Sequence, residues 1–320
     1  MTDKPAGTAR KPLLIVITGP TGSGKSDLAI EVARHYGTEI ISADSRQMYR
    51  GIPIGTAQPT AEQLDAVRHH FIASLELTDY YSAARFEEEV MALLPRVMDS
   101  HGGVAVMCGG SMMYVDAVTR GIDDLPTITE DVRREVGLIA EKEGAEGLRA
   151  RLRMLDPAYY ETVDLKNTKR LAHALEIIIE SGQTYTELRQ GKRKARPFET
   201  VTFVINYDRE ELFDRINRRV DAMVAQGLVG EAESVKALRH VNALNTVGYK
   251  EIYSAMDGDM DFATAIERIK KNTRVYAKKQ LTWLKRDREG AADVNYLDPH
   301  KPMLEQVIEV VESGEGRAEC

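Results

Sequence analysis

The residues Gly19-Pro20-Thr21-Gly22-Ser23-Gly24-Lys25-Ser26 fit the spacing G-x-x-x-x-G-K-[ST]. An apolar β-branched run precedes them and an amphipathic pattern follows, the strand–loop–helix context a phosphate-binding loop needs. Glycines let backbone N–H groups turn inward around an anion, and the helix N-terminus adds partial positive charge. Lys25 is placed to reach the outer phosphate, and Ser26 to offer a hydroxyl to Mg²⁺. The loop does not say which phosphate compound it holds.

Two further stretches could do chemistry beside it. Asp44 follows a short strand, 39–42, and in open α/β sheets ligands bind beyond the carboxyl ends of strands. Asp44 therefore points to the same crevice as the loop. The second stretch is Cys108-Gly109-Gly110-Ser111, after the apolar strand 103–108. A phosphate-loop hydrolase usually carries a metal-holding Asp at such a place. Two glycines before a hydroxyl instead suggest close backbone approach to a ligand, with Ser111 as a hydrogen-bond donor. That weakens an ATPase reading.

These residues need a parallel sheet with helices on it. Helical patterns cover 27–36, 62–67 and 81–98, and a strand-like run covers 69–72. Of its two histidines, His69 and His70, one is expected packed and the other solvated. Beyond Arg120 the chain becomes charged and helical, over 129–143, 148–155 and 169–181, without strand pattern. A basic linker, 191–197, leads to a strand at 201–206. Helices follow at 210–226 and 231–239, then two or three helical lengths over 262–288, then 304–311. The fold class is α/β, a phosphate-loop parallel sheet flanked by helices with an all-helical insertion. Residues 12–120 and 200–300 are expected to form the core, 121–199 the insertion, and 301–320 a C-terminal helix and loose tail; 1–11 read as a loose tail.

The chain has 320 residues, 43% of them hydrophobic and 29% charged, ordinary values for a soluble domain. A net charge of −7 excludes a chain-wide polycation. Any nucleic-acid surface must be local. Within 262–288, Lys271, Arg274 and Lys278 share one helical face among many other cations, including Lys285, Arg286 and Arg288, a stripe suited to a phosphate backbone. Trp283 lies in it, as core or as a base-stacking ring. Cys108 and Cys320 suggest neither a disulfide framework nor a zinc site, so a reducing cytoplasm is expected. The apolar run before the loop is too short to span a membrane.

Together the segments GPTGSGKS (19–26), SADSRQMYRGIPIGTAQPT (42–60), HHFI (69–72), GGSMMY (109–114), RINRRVDAMVAQGLVGE (215–231), VGYKE (247–251) and AKKQLTWLKR (277–286) resemble the bacterial tRNA dimethylallyltransferases. They span most of the chain in family order, and DSRQMYRG and KKQLTW are far more specific than the loop. The resemblance implies transfer of a dimethylallyl group from dimethylallyl diphosphate to the N6 amine of the adenosine 3′ to the anticodon. It implies that Gly19, Pro20, Thr21, Gly22, Ser23, Gly24, Lys25 and Ser26 hold the diphosphate, with Mg²⁺ at Ser26. Arg219 matches the family's diphosphate arginine, and Asp44 its catalytic aspartate. Ser111 stands where the family commonly has Thr. Ser45, Arg46 and Gln47 match the base-recognition segment, and the insertion with the stripe would grip the anticodon stem-loop of a tRNA. One segment departs: Asp164-Leu165-Lys166-Asn167-Thr168-Lys169-Arg170 stands where many relatives have His-Pro-Asn-Asp-x-Gln-Arg, leaving Lys166, Lys169 and Arg170 as candidate RNA contacts. Two cysteines also fit the lack of a eukaryotic-type zinc finger. A monomer is expected. The competing readings are prenyl transfer to free AMP, a small-molecule kinase using ATP, and a non-catalytic nucleotide switch, for which no N-K-x-D motif is present.

Overall fold

Leu13–Thr18 form strand β1, and every one of its residues is buried. Such a continuous apolar run suits the middle of a parallel sheet covered on both faces. A computed structural model describes residues 11–191, 193–288, 293–314 and 318–319. Residues 1–10, Lys192, the side chains of Arg286 and Arg288, and Cys320 lie outside the described residues.

The chain divides into two units, Met1–Arg120 with Ala195–Cys320, and Gly121–Lys194. In the first, β1 is followed by α1 (Lys25–Tyr36), β2 (Ile40–Ser42), α2 (Pro53–Thr56), α3 (Ala61–Ala66), β3 (His69–His70), α4 (Ala83–Ser100), β4 (Val104–Gly109) and α5 (Met112–Thr119). The second unit holds α6 (Glu130–Leu155), α7 (Pro157–Thr162), α8 (Thr168–Ser181) and α9 (Tyr185–Leu188). The chain returns to the first with β5 (Glu199–Ile205), α10 (Arg209–Ala225), α11 (Leu228–Ser234), α12 (Tyr249–Met256), α13 (Phe262–Arg288), β6 (Val294–Leu297), α14 (Met303–Ser313) and β7 (Ala318–Glu319).

The strand order is β3-β2-β4-β1-β5-β6, all parallel, and β7 pairs antiparallel with β5. Register brings Thr18 level with Gly109 and with Val204, and Ser42 level with Cys108. The carboxyl ends of β1, β2 and β4 therefore share one edge. Side chains alternate across β1. Leu14 and Val16 pack with Phe86 and Val90 of α4, Val115 of α5 and Tyr249 of α12. Leu13, Ile15 and Ile17 pack with Leu28 and Val32 of α1, Ile216 of α10, and Val307 and Val311 of α14.

That second cluster corrects one expectation. The core does not stop at residue 300: the expected C-terminal helix, α14, belongs to the first unit and buries Val307 and Val311 in its core. Three other differences have local causes. Gly227 adopts φ 103, which stops α10 and lets α11 start at once, so the helix expected over 231–239 runs Leu228–Ser234 and gives way to one 3-10 turn at Lys236–Leu238. The 262–288 stretch is one unbroken helix, about 40 Å long at 1.5 Å per residue. Strand β6 was unforeseen because it is four residues long and only Leu297 is buried.

In the second unit, α6 is kinked at Gly144, in line with the two helical patterns read there. Val136, Leu148 and Leu152 pack against Leu171, Leu175 and Ile178 of α8. Buried Asp156 accepts from the Tyr159 N–H (3.0 Å), the Thr186 N–H (2.8 Å) and the Thr186 hydroxyl (2.8 Å), tying α7 to α9. Its oxygens are thus compensated by three donors.

Candidate active site

Because three strands end at one edge, the phosphate loop after β1, Asp44 after β2 and Ser111 after β4 converge. Gly109 makes this possible. A Cβ there would come within 2.1 Å of the Ala43 carbonyl oxygen, so only glycine lets β4 lie this close to the backbone preceding Asp44. The Asp44 carboxylate accepts from the Arg46 N–H at 2.9 Å and the Gln47 N–H at 3.4 Å. These bonds aim it and leave lone pairs free. The Ser111 hydroxyl oxygen accepts from the Ser45 N–H at 2.9 Å. Ser111 thus braces the Asp44 turn from behind.

A cavity of about 380 Å³ opens at this edge. Lys25, Ser26, Asp44, Ser45, Arg46, Gln47 and Arg219 line its polar side; Ile216, Val220, Met223, Leu228 and Ile269 form an apolar wall. A wider groove of about 990 Å³ meets it at Lys25, Ser26, Arg219 and Met223 and is flanked by Arg215 and Arg218. Lys25 reaches back to the Pro20 carbonyl at 3.4 Å. Burial holds the Lys25 ammonium below its ordinary range; the Arg219 cation pushes the same way and Asp44 opposes. Arg219 Nη1 lies 3.4 Å from the Thr21 hydroxyl oxygen. Burial lowers the Arg219 pKa as well, against the pull of Asp44, but a guanidinium stays charged. Two cations whose charge is poorly solvated thus face an empty space beside loop amides, the arrangement an anion would stabilise. Tyr276 lines the same cavity; burial first, and then Asp44, push its phenol up to about 12, so it is a neutral O–H donor at physiological pH. The Cys108 thiol, pushed up to about 12 by burial, is likewise protonated.

The site combines anion-holding groups, a carboxylate and an apolar wall. It can hold a phosphate ester whose organic part is apolar and accept a proton beside it. As a metal site, its oxygen donors suit a hard cation: the Ser26 hydroxyl stands with Asp44 at the phosphate loop, where substrate phosphate oxygens and water would complete the shell. Among the described residues no cluster of three metal-ligating His, Cys, Asp or Glu occurs.

The model of the IPP transferase family matches residues 47–287. This chain belongs to the IPP transferase family. Curated relatives agree. The chain is 52% identical to tRNA dimethylallyltransferase 1 of Bacteroides thetaiotaomicron, over 87% of this chain and 90% of that one. It is 52% identical to the enzyme of that name from Bacteroides fragilis, over 86% and 91%. Among solved structures, the tRNA isopentenylpyrophosphate transferase of Bacillus halodurans superposes with a TM-score of 0.67 at 32% identity, covering 95% of this chain and 96% of that one.

In this IPP transferase, the other residues singled out by sequence scatter. Gln47 donates its amide to the Ala57 carbonyl (2.7 Å) and the Thr56 carbonyl (3.3 Å), while Arg46 donates to the Asn242 carbonyl at 2.6 Å. Both are held, and both line the cavity. Ser111 is not among the lining groups and sits one hydrogen bond behind Ser45. The cationic stripe is not in the cavity either. Arg274 donates to Asn217 of α10 at 2.5 Å, and Lys278 lies over the Phe213 ring at 5.4 Å; Lys271 alone of the three is exposed without such a contact among those described. The cavity face of α13 is uncharged: Ile269, Thr273, Tyr276 and Gln280. Trp283 is 38% exposed and donates to Asp116 at 3.1 Å, so it is neither core nor free. Lys166, Lys169 and Arg170 are exposed around the start of α8, which Asn167 caps by accepting the Arg170 N–H at 3.2 Å. The histidine expectation changes too. Both are half-buried and bonded: His70 pairs with Glu39 at 2.5 Å and His69 Nδ1 lies 2.8 Å from the Val67 carbonyl oxygen.

Sequence reasoning assigned no role to Gln280, Tyr276 or Glu231. Glu231 accepts the Ile54 and Gly55 N–H groups, both at 2.7 Å, and the Tyr249 hydroxyl at 2.6 Å. It thereby holds α2, whose end supplies the carbonyls that orient Gln47. For Glu231 and Gln280 the signal lay inside GLVGE and KKQLTW, segments used for resemblance only; Tyr276 lies just before the second.

Proposed function

We propose that this protein transfers a dimethylallyl group from dimethylallyl diphosphate to the N6 amine of the adenosine 3′ to the anticodon in tRNA. N6 forms a bond to the allylic carbon, the carbon–oxygen bond to diphosphate breaks, and diphosphate leaves. The observation that carries the reading is the placement of Asp44 with Lys25 and Arg219 around one cavity that also has an apolar wall. A hydrolase needs no such wall for the organic part, and a free phosphate needs no carboxylate opposite it.

The phosphate loop, residues 19–26, through those of its amides that face the cavity, together with Lys25 and Arg219, holds the diphosphate and stabilises charge as it builds on the leaving oxygen. Ser26 is the residue to hold Mg²⁺; when bound, the ion offsets the same charge. Asp44 accepts a hydrogen bond from the N6 amine and takes its proton as the carbon–nitrogen bond forms. The neutral phenol of Tyr276 lines the same cavity as that carboxylate. Ser45, Arg46 and Gln47 receive the target base, which must leave its stack to enter. Lys169, Arg170 and the exposed part of the α13 stripe contact the anticodon stem-loop, by charge and shape. The protein acts as a monomer in the cytoplasm; among the described residues no helix is long and apolar enough to cross a membrane. The names of the relatives support tRNA as acceptor, not free AMP, and prenyl transfer, not a kinase reaction.

The test is direct. With Mg²⁺ and labelled dimethylallyl diphosphate, label should appear in tRNA whose anticodon-adjacent base is adenosine. Label on AMP and none on tRNA would overturn the assignment.

A further inference from the structure

Gln280 belongs to α13, yet both of its side-chain bonds reach other elements. It is 5% exposed. Its Oε1 accepts from the Thr21 N–H at 2.8 Å, and its Nε2 donates to the Gly110 carbonyl at 2.8 Å. Because Thr21 presents a donor and Gly110 an acceptor, only one amide orientation satisfies both. No other side chain of this length does so. Glutamate has no proton to give at neutral pH, methionine has neither group, and asparagine is one methylene short. Gly110 is shaped to it: a Cβ there would come 2.5 Å from Gln280 Nε2.

The chain of contacts continues past Gly110. Ser111 follows it, and Ser111 accepts from the Ser45 N–H beside Asp44. One buried amide therefore links the phosphate loop to the brace of the carboxylate. The Thr21 N–H is also spent on Gln280, so this loop amide is turned from the anion and the bond shapes the loop without adding charge.

We propose that Gln280 is a positioning residue that keeps the phosphate loop and the Ser111–Asp44 brace in register, so that leaving group and acceptor nitrogen stand in line. It touches neither. The inference rests on the transfer reaction proposed above: carbon–nitrogen bond formation and carbon–oxygen cleavage share one geometry, and an error of about 1 Å there costs roughly 10²-fold in rate.

The test is steady-state transfer to tRNA by the wild type, Gln280→Met, Ser111→Ala and the double variant. For Gln280→Met we expect kcat to fall about 100-fold with KM for the diphosphate within about threefold of wild type. The double variant should fall no further than the slower single one, because both act through one path. A raised KM with unchanged kcat, multiplicative losses, or wild-type kinetics would each overturn the inference. Should Gln280→Met fail to fold, Gln280→Glu keeps the Thr21 bond and loses the Gly110 bond; normal kcat there overturns it equally. A wild type that never labels tRNA would sink the function instead, whereas a labelling wild type with indifferent variants sinks only the role of Gln280.

Discussion

The backbone N–H of Ser45 donates to the hydroxyl oxygen of Ser111 at 2.9 Å, joining the loop after β2 to the loop after β4. Asp44 is the residue before this N–H, so its turn is held from a separate strand. Removing the acceptor leaves a partly buried N–H unpaired, at a cost of about 1–3 kcal/mol. Ser111→Ala should therefore lower kcat by about 10- to 100-fold, while Ser111→Thr, which keeps the oxygen, should stay within about threefold. Equal activity of the alanine variant in a transfer assay would show that the brace is dispensable.

Asp44→Asn should lose about 10²-fold or more in turnover, the contribution of a positioned base. The amide oxygen can still accept the Arg46 and Gln47 N–H groups, so tRNA affinity by filter binding should hold. A parallel loss of affinity and turnover would make Asp44 a binding residue only.

Arg219→Ala should raise KM for the diphosphate by tenfold or more, since a charge-assisted contact is worth about 1.5–3 kcal/mol. Arg218→Ala is the control: that side chain is 69% exposed and pairs with Asp214 at 2.8 Å. If both variants behave alike, the groove charge acts at long range and Arg219 makes no special contact.

The depressed Lys25 pKa has two consequences of definite sign. The unfolded chain titrates this lysine at 10.5, the folded chain lower. Between those values the unfolded state holds more protons, so this group makes stability rise with pH across that window. Binding of a diphosphate favours the charged form, so binding should take up protons, and weaken, as pH climbs through the lowered value. Calorimetry in two buffers of different ionisation heat measures this uptake. It should vanish in Lys25→Arg, which does not titrate. No uptake in the wild type would place Lys25 away from the bound anion.

The parts of the site carried by short contiguous segments were legible in the chain. The phosphate loop needs its glycines, lysine and serine within a few residues, and Asp44 and Ser111 each follow an apolar strand. The helical faces of α1, α4 and α13 were readable as periodic patterns for the same reason. Where the reading failed, the cause was non-local. The α13 cations looked like one free stripe, but Phe213 and Asn217 on α10 engage Lys278 and Arg274. α14 was read as a helix beyond the core, but the sheet face formed by Leu13, Ile15 and Ile17 required cover, and Val307 and Val311 supply part of it.

What the amino-acid order determined by itself was the chemistry available: an anion loop, a carboxylate at a strand end, a hydroxyl after two glycines, and the family that unites them. Those depend on backbone conformations and spacings set within a few residues. What only the tertiary structure decided was which groups cooperate. Parallel register brings Thr18, Ser42 and Gly109 to one edge, and the close approach at Gly109 lets the Asp44 turn meet Ser111. The amide of Gln280 bridges loops whose residues are 259 and 170 positions away from it, because a buried donor and a buried acceptor must both be satisfied. No local pattern encodes that bond; packing of α13 against the sheet edge creates it.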